Sequence, residues 1–160
     1  MLVRVKLQNA RALSKTVRPP KQKGIYRMLD TRLAPYGVFI LRITLGLLFL
    51  AHAWLRIFVF TPSGTAGFFT SVGLPGWLAY VVILWEIVGG LALILGLWPR
   101  IAAIALVPIL LGAIFTVHGA AGFFFDSANG GWEYPALWIV NLLVIAFVGD
   151  GAYALRRSKT

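Results

Sequence analysis

The apolar positions of this chain fall into four blocks, each about as long as the roughly 20 helical residues that cross a bilayer. They run from about 37 to 60, 77 to 98, 101 to 122 and 135 to 155. Pro35 precedes the first block, Pro75 and Gly76 break the chain before the second, and Pro99 stands before the third. Pro108 lies inside the third block and should kink that helix, which lipid-embedded bundles tolerate. The pattern predicts an all-α fold, a polytopic membrane protein with a four-transmembrane-helix bundle over residues 35–155. A basic tail over 1–34 and a short basic tail over 156–160 flank it. No internal repeat, coiled-coil heptad or soluble domain is visible.

The polar residues left inside these blocks are few. At about 1.5 Å per residue, His52 lies about 12 Å and Arg56 about 6 Å from the far end of the first span. Glu86 lies about 13 Å from the same side on the second span, His118 about 6 Å on the third, and Asn141 about 9 Å on the fourth. All four helices thus bring a polar group to one half of the bilayer. His52 and Arg56, four residues apart, share a helix face. An unpaired charge at such depth costs roughly 2.5–3.5 kcal/mol, so Glu86 is expected to pair with Arg56 or His52. Such a pair serves equally as a register-fixing salt bridge or as part of a ligand pocket. Gly89 and Gly90, three and four residues beyond Glu86, favour close helix packing. Their other reading is a slot beside Glu86 for a flat ring or a lipid tail, with Trp54 and Trp138 also shaping the pocket. Arg42 lies towards the opposite end and is expected to snorkel there.

Composition and charge add orientation. The 160 residues are 59% hydrophobic and 12% charged, with a mean hydropathy of +0.84, more apolar surface than a soluble domain of this size can hide. Without cysteine, CxxC redox chemistry, cysteine-ligated clusters and disulfides are excluded. Nine of the basic residues, from Arg4 to Arg32, precede the first block, with Asp30 the one acid among them. Arg100 sits in the second-to-third connection, and Arg156, Arg157 and Lys159 close the chain. The other two connections have no Lys or Arg, so the positive-inside rule makes both termini cytoplasmic. The basic tail suits anionic lipid headgroups; without an aromatic-interleaved basic surface, no nucleic-acid partner is expected. The tail is not a secretory signal, and its acid-free start leaves a transit peptide as the alternative to a surface-lying tail.

No motif for phosphate binding, serine nucleophiles or carboxylate-bound metals is present, and no metal site is expected. Haem between His52 and His118 is disfavoured, because the two estimated depths differ by about one helical turn.

Taken in order, "GLLFLAHAWLRIF", "FFTSVGLPGWLAY", "WEIVGGLALILGLWPRIAA", "VHGAAGFFF" and "GGWEYPALWIVNLLVIAFVGDGAYAL" resemble the DoxX family of small four-helix membrane proteins. Members typically carry a histidine, a small residue and a basic residue at the end of helix one. Here these are His52, Ala53 and Arg56, where glycine and lysine are the usual last two. The resemblance covers about residues 42–155. It implies a multi-pass protein of a bacterial or archaeal cytoplasmic (inner) membrane, and in some relatives a membrane subunit of a quinone-linked oxidoreductase.

Two functions are consistent with these residues. In the first, the chain is such a subunit and binds a quinone or similar amphiphile in the polar pocket of His52, Arg56, Glu86, His118 and Asn141. No intrinsic cofactor is expected, and the electron source lies in a partner subunit. In the second, the chain is a non-catalytic scaffold or anchor for a larger complex, or a homo-oligomer, and the polar set only fixes register. A transporter is the weakest reading, since four helices without a repeat leave little room for alternating access.

Overall fold

A computed structural model describes residues 30–127 and 130–158. The chain divides at residue 31, and the fold below is that of the unit from Arg32 onward. The tail assigned to residues 1–34 lies mostly outside the described residues, as does Lys159.

Five helices form this unit. α1 spans Ala34–Trp54, α2 Pro62–Ser71, α3 Leu78–Leu95, α4 Pro99–Ala113 and α5 Glu133–Val148. No strand occurs among the described residues; Leu97 and Arg156 make one isolated bridge. α1 and α4 do not stop at their α-helical ends. Each widens into a π turn, Leu55–Val59 and Ile114–His118, and the second runs on into a 3-10 turn, Gly119–Ala121. With these extensions the spans Ala34–Val59, Leu78–Leu95 and Pro99–Ala121 are long and apolar enough to cross a membrane. The protein is therefore an all-helical, multi-pass membrane protein.

Two segments differ from the sequence expectation. The connection "TPSGTAGFFTSVGLPG", read as a loop, contains α2. Thr61 starts it: its hydroxyl accepts from the Gly64 amide at 3.1 Å, and Pro62 occupies the first turn. The fourth block, expected to run to about 155, is helical only to Val148. Gly149 (φ 128°) and Gly151 (φ 75°) end it. α5 is thus 16 residues long, about 24 Å, short of the roughly 30 Å hydrocarbon core.

Four helices close a ring in which α1 packs on α3, α3 on α4, α4 on α5 and α5 on α1. Residues three and four apart point inward: Leu45 and Phe49 from α1, Leu106 and Leu110 from α4, Trp138, Leu142 and Ile145 from α5. The outward faces stay apolar too, with Leu47, Val88, Ile104, Phe115 and Phe147 all exposed, as lipid contact requires and water would not. Gly46 and Gly90 bring the backbones of α1 and α3 together. A Cβ on Gly46 would lie 2.7 Å from the Gly90 carbonyl oxygen, and one on Gly90 would lie 2.9 Å from that of Gly46. Inside α4, Pro108 has no amide hydrogen to complete the ladder. The carbonyl this leaves without its helical donor is that of Ile104, four residues earlier; the Trp85 indole donates to the next one, Ala105 O, at 3.1 Å.

One end of the bundle is tied by the segment after α5. The Ala152 amide donates to Pro35 O, that of Arg156 to Gly96 O, and that of Trp98 to Arg156 O. Arg42 does not snorkel. It is fully buried, with Nη1 donating to Asp150 O at 2.6 Å and Nη2 to Ala152 O at 3.2 Å. Its head does not reach solvent because the folded-back chain covers this end of the bundle and offers carbonyls where open lipid would offer none. Arg156 stacks over Trp98 at 4.3 Å, and Ser158 is held by the Asp150 carboxylate.

Candidate functional site

At the opposite end, where the π turns lie, α1, α3, α4 and α5 border a half-open cavity of about 520 Å³. Glu86 reaches it from the middle of α3 and is almost wholly buried. Arg56 comes from the π turn that follows α1. Its Nε donates to both carboxylate oxygens of Glu86, at 3.0 and 3.3 Å. The expected pairing of Glu86 is thus with Arg56 rather than His52. Only Nε of Arg56 is engaged among the described residues. Both Nη groups keep their donors for another acceptor.

His52 lies one turn earlier on α1 and lines the same cavity. Its ring meets Trp138 of α5 edge to face, 5.2 Å between centroids. The ring makes no hydrogen bond to a described residue. His118 ends the π turn after α4 and lines the opposite wall. Its Nδ1 sits 2.8 Å from the Gly130 carbonyl oxygen. A carbonyl can only accept, so Nδ1 carries the hydrogen and Nε2 of the neutral ring is an acceptor. Two of the site's groups therefore sit on π turns, which re-aim side chains and occur often at functional sites.

The remaining expected residues divide. Trp138 lines the cavity, 5% exposed, against Phe49 at 5.3 Å. Trp54 does not. It is 54% exposed and packs on Phe58. Asn141 is not in the wall either, and donates to the Leu137 carbonyl of its own helix at 2.8 Å. Asn141 shares a face with Tyr134, seven residues earlier, but its amide is turned back on its own helix, and the α5 residues that line the cavity, Tyr134, Pro135 and Trp138, all come earlier in the helix. Gly89 and Gly90 serve packing. A Cβ on Gly89 would run into the Leu106 side chain at 2.5 Å, and neither glycine borders the cavity.

Sequence reasoning missed Tyr134. It lies in the first turn of α5 and lines the cavity, its ring 5.8 Å from Trp138. The signal was present: Tyr134 and Trp138 are four residues apart and share a face. No cluster of three or more His, Asp or Glu able to hold a metal occurs among the described residues.

The assembled site is a partly apolar cavity with a fixed cation, a buried carboxylate, two imidazoles and a phenol. A model of the DoxX family matches residues 37–119, which carry His52, Arg56, Glu86 and His118. The chain belongs to the DoxX family. Three relatives are similar over most of their length. One in Bacillus subtilis (strain 168), named "Putative oxidoreductase CatD", is 33% identical over 119 residues, 74% of this chain and 84% of that protein. The "Inner membrane protein YqjF" of Escherichia coli (strain K12) is 31% identical over 127 residues, 79% of this chain and 94% of its own. An "Uncharacterized protein" of Haemophilus influenzae is 40% identical over 123 residues, 76% and 89% of the two chains. No solved structure matches the chain. The family match ends before α5, so in this DoxX-family chain Tyr134 and Trp138 lie outside the matched segment.

Proposed function

We propose that this protein is a membrane subunit of a quinone-linked oxidoreductase system, and that its polar cavity binds the ring of a quinone or a similar amphiphile. The observation that carries the reading is the pairing of unused hydrogen-bonding groups with an aromatic wall. Arg56 has two free Nη groups, the His52 ring has no described hydrogen-bond partner, and His118 presents Nε2, all lining the cavity that the Trp138 ring also lines. A register-fixing salt bridge needs only Arg56 and Glu86. It leaves the histidines and a cavity of this size without a purpose. The oxidoreductase name of the Bacillus relative and the family resemblance point the same way.

In this reading an Arg56 Nη donates to a ring oxygen, as a fixed charge with several donors is suited to do. Glu86 holds Arg56 in place. Reduction of a quinone to its quinol takes two electrons and two protons. The electrons come from a partner subunit, and the imidazoles of His52 and His118, whose ring nitrogens can donate and accept, are placed in the cavity wall to pass the protons. The test is binding of a short-tailed quinone to the purified protein. The wild type is expected to saturate, and His52→Ala to bind at least about tenfold more weakly, or about 1.4 kcal/mol. Equal affinity favours the scaffold reading, in which the polar set only fixes helix register.

The reading also includes topology. α5 crosses the membrane with the other three helices, and both termini face the cytoplasm of an inner-membrane protein. The placement of basic residues supports it, with Arg100, Arg156 and Arg157 at one end and no Lys or Arg in the connections at the other. The chain has no native cysteine. Single cysteines at Ser63, Asp126 and Arg157 are expected to react with an impermeant thiol reagent on intact cells at the first two positions only. Labelling at position 157 overturns the orientation.

A further inference from the structure

A second cavity, of about 380 Å³, lies beneath α2 between α3 and α4. Arg56, Ile109 and Ala113 line both cavities and so form a common wall. The two spaces have opposite chemistry. The first holds both histidines, Glu86 and Tyr134. The second is walled by side chains such as Phe68, Phe69, Leu78 and Val82. Its side-chain hydrogen-bond donors other than those of Arg56 are occupied. The Thr116 hydroxyl donates to the Gly112 carbonyl at 2.8 Å, and the Trp85 indole to that of Ala105. A polar molecule gains nothing there, whereas a hydrocarbon chain is the occupant such a surface accepts without stranding a donor. Gly112 widens the space, since a Cβ built on it meets nothing within 4 Å.

We infer that the cavity beneath α2 is the chain-binding half of one ligand site, taking the hydrocarbon tail of an amphiphile whose polar head lies on the histidine side, with Arg56 between them. This rests on the head-group reading given above and extends it to the ligand class, a head bearing acceptor oxygens joined to a long apolar chain. Arg56 is then well placed for both halves. Its guanidinium contacts the head and its methylene stem borders the tail, the usual division of labour in an arginine side chain. α2 becomes the cover of the tail cavity, which gives the helix in the first connection a function.

The experiment compares a tailless benzoquinone with its decyl-tailed counterpart on the whole purified protein at one fixed detergent concentration. Gly112→Leu fills the tail cavity, and Gly112→Ala fills it less. With Gly112→Leu, affinity for the decyl quinone is expected to fall at least about tenfold while that for the tailless quinone stays within about twofold. Gly112→Ala is expected to fall between. Since detergent partitioning is common to all three proteins, it cancels in the comparison. Retained tailless binding also shows that each variant is folded. Should Gly112→Leu fail that check, Val82→Phe fills the same cavity from α3 and is read in the same way. If the tailless quinone binds and the decyl affinity is unchanged in the filled variants, the tail cavity is refuted and the head site stands. If neither quinone binds the wild type, the head site is refuted and the tail inference falls with it.

Discussion

Glu86→Ala is expected to destabilise the folded bundle by about 3 kcal/mol, the lower end of the cost of removing one partner from a buried ion pair. The lower end applies because the Arg56 side chain keeps 21% of its surface exposed, whereas Glu86 keeps 3%. Left alone, the Arg56 guanidinium must find an acceptor in an apolar wall or turn outward. Replacing both residues, as Glu86→Ala with Arg56→Met, removes the stranded charge together with its partner. The double variant is then expected to be more stable than the sum of the single losses implies, by at least about 1 kcal/mol. Thermal unfolding of all four proteins in one detergent measures the coupling. Strictly additive losses mean that the 3.0 Å contact contributes nothing to stability.

Gly46→Leu is expected to have a still larger effect and to prevent the native α1–α3 packing altogether. Inserting methylenes into a packed core costs about 1–3 kcal/mol when side chains can shift. At Gly46 a new Cβ would meet the Gly90 carbonyl oxygen at 2.7 Å and Ile94 Cγ1 at 2.6 Å, and the carbonyl belongs to a helix backbone that cannot turn aside. In lipid, where apolar side chains gain little by leaving the hydrocarbon, such close approach is what holds helices together. Because α1 and α3 carry Arg56 and Glu86, separating them also dismantles the site. Gly112→Ala is the internal control. Its Cβ has open space, and alanine is favoured over glycine in a helix by about 1 kcal/mol. The expected order of thermal midpoints is Gly112→Ala at or above wild type and Gly46→Leu far below or unfolded.

The hydropathy blocks made the three long spans legible, because length and apolarity are properties of composition along the chain. The cost of a lone charge made the Glu86 partner legible to within two candidates. What stayed hidden depends on side-chain direction and on backbone geometry. Asn141 shares a face with Tyr134 but turns its amide back on its own helix. Tyr134 escapes a reading that looks for polar positions inside the apolar blocks, because it stands at the edge of one. The π turns at Leu55–Val59 and Ile114–His118 change only the register of hydrogen bonds, which no residue type announces. α2 hid in Gly, Ser and Thr, since its helical start depends on the Thr61 hydroxyl and Pro62 together. The early end of α5 was readable in "GDG", two glycines around Asp150. Arg42 could not be placed because its acceptors, the carbonyls of Asp150 and Ala152, lie more than 100 residues away in the chain.

The central claim is that a ring binds between the histidines and Trp138, and the most direct measurement is where quenching saturates in the quinone titration. The protein has six tryptophans. Trp138 lies in the cavity wall, and Trp98 lies at the other end of the bundle beneath Arg156. Two variants are compared, one keeping only Trp138 and one keeping only Trp98, with phenylalanine at the other five positions. The expected result is saturable quenching by the tailless quinone in the Trp138 protein, and only a linear, collisional decline in the Trp98 protein. A linear decline in both contradicts the account.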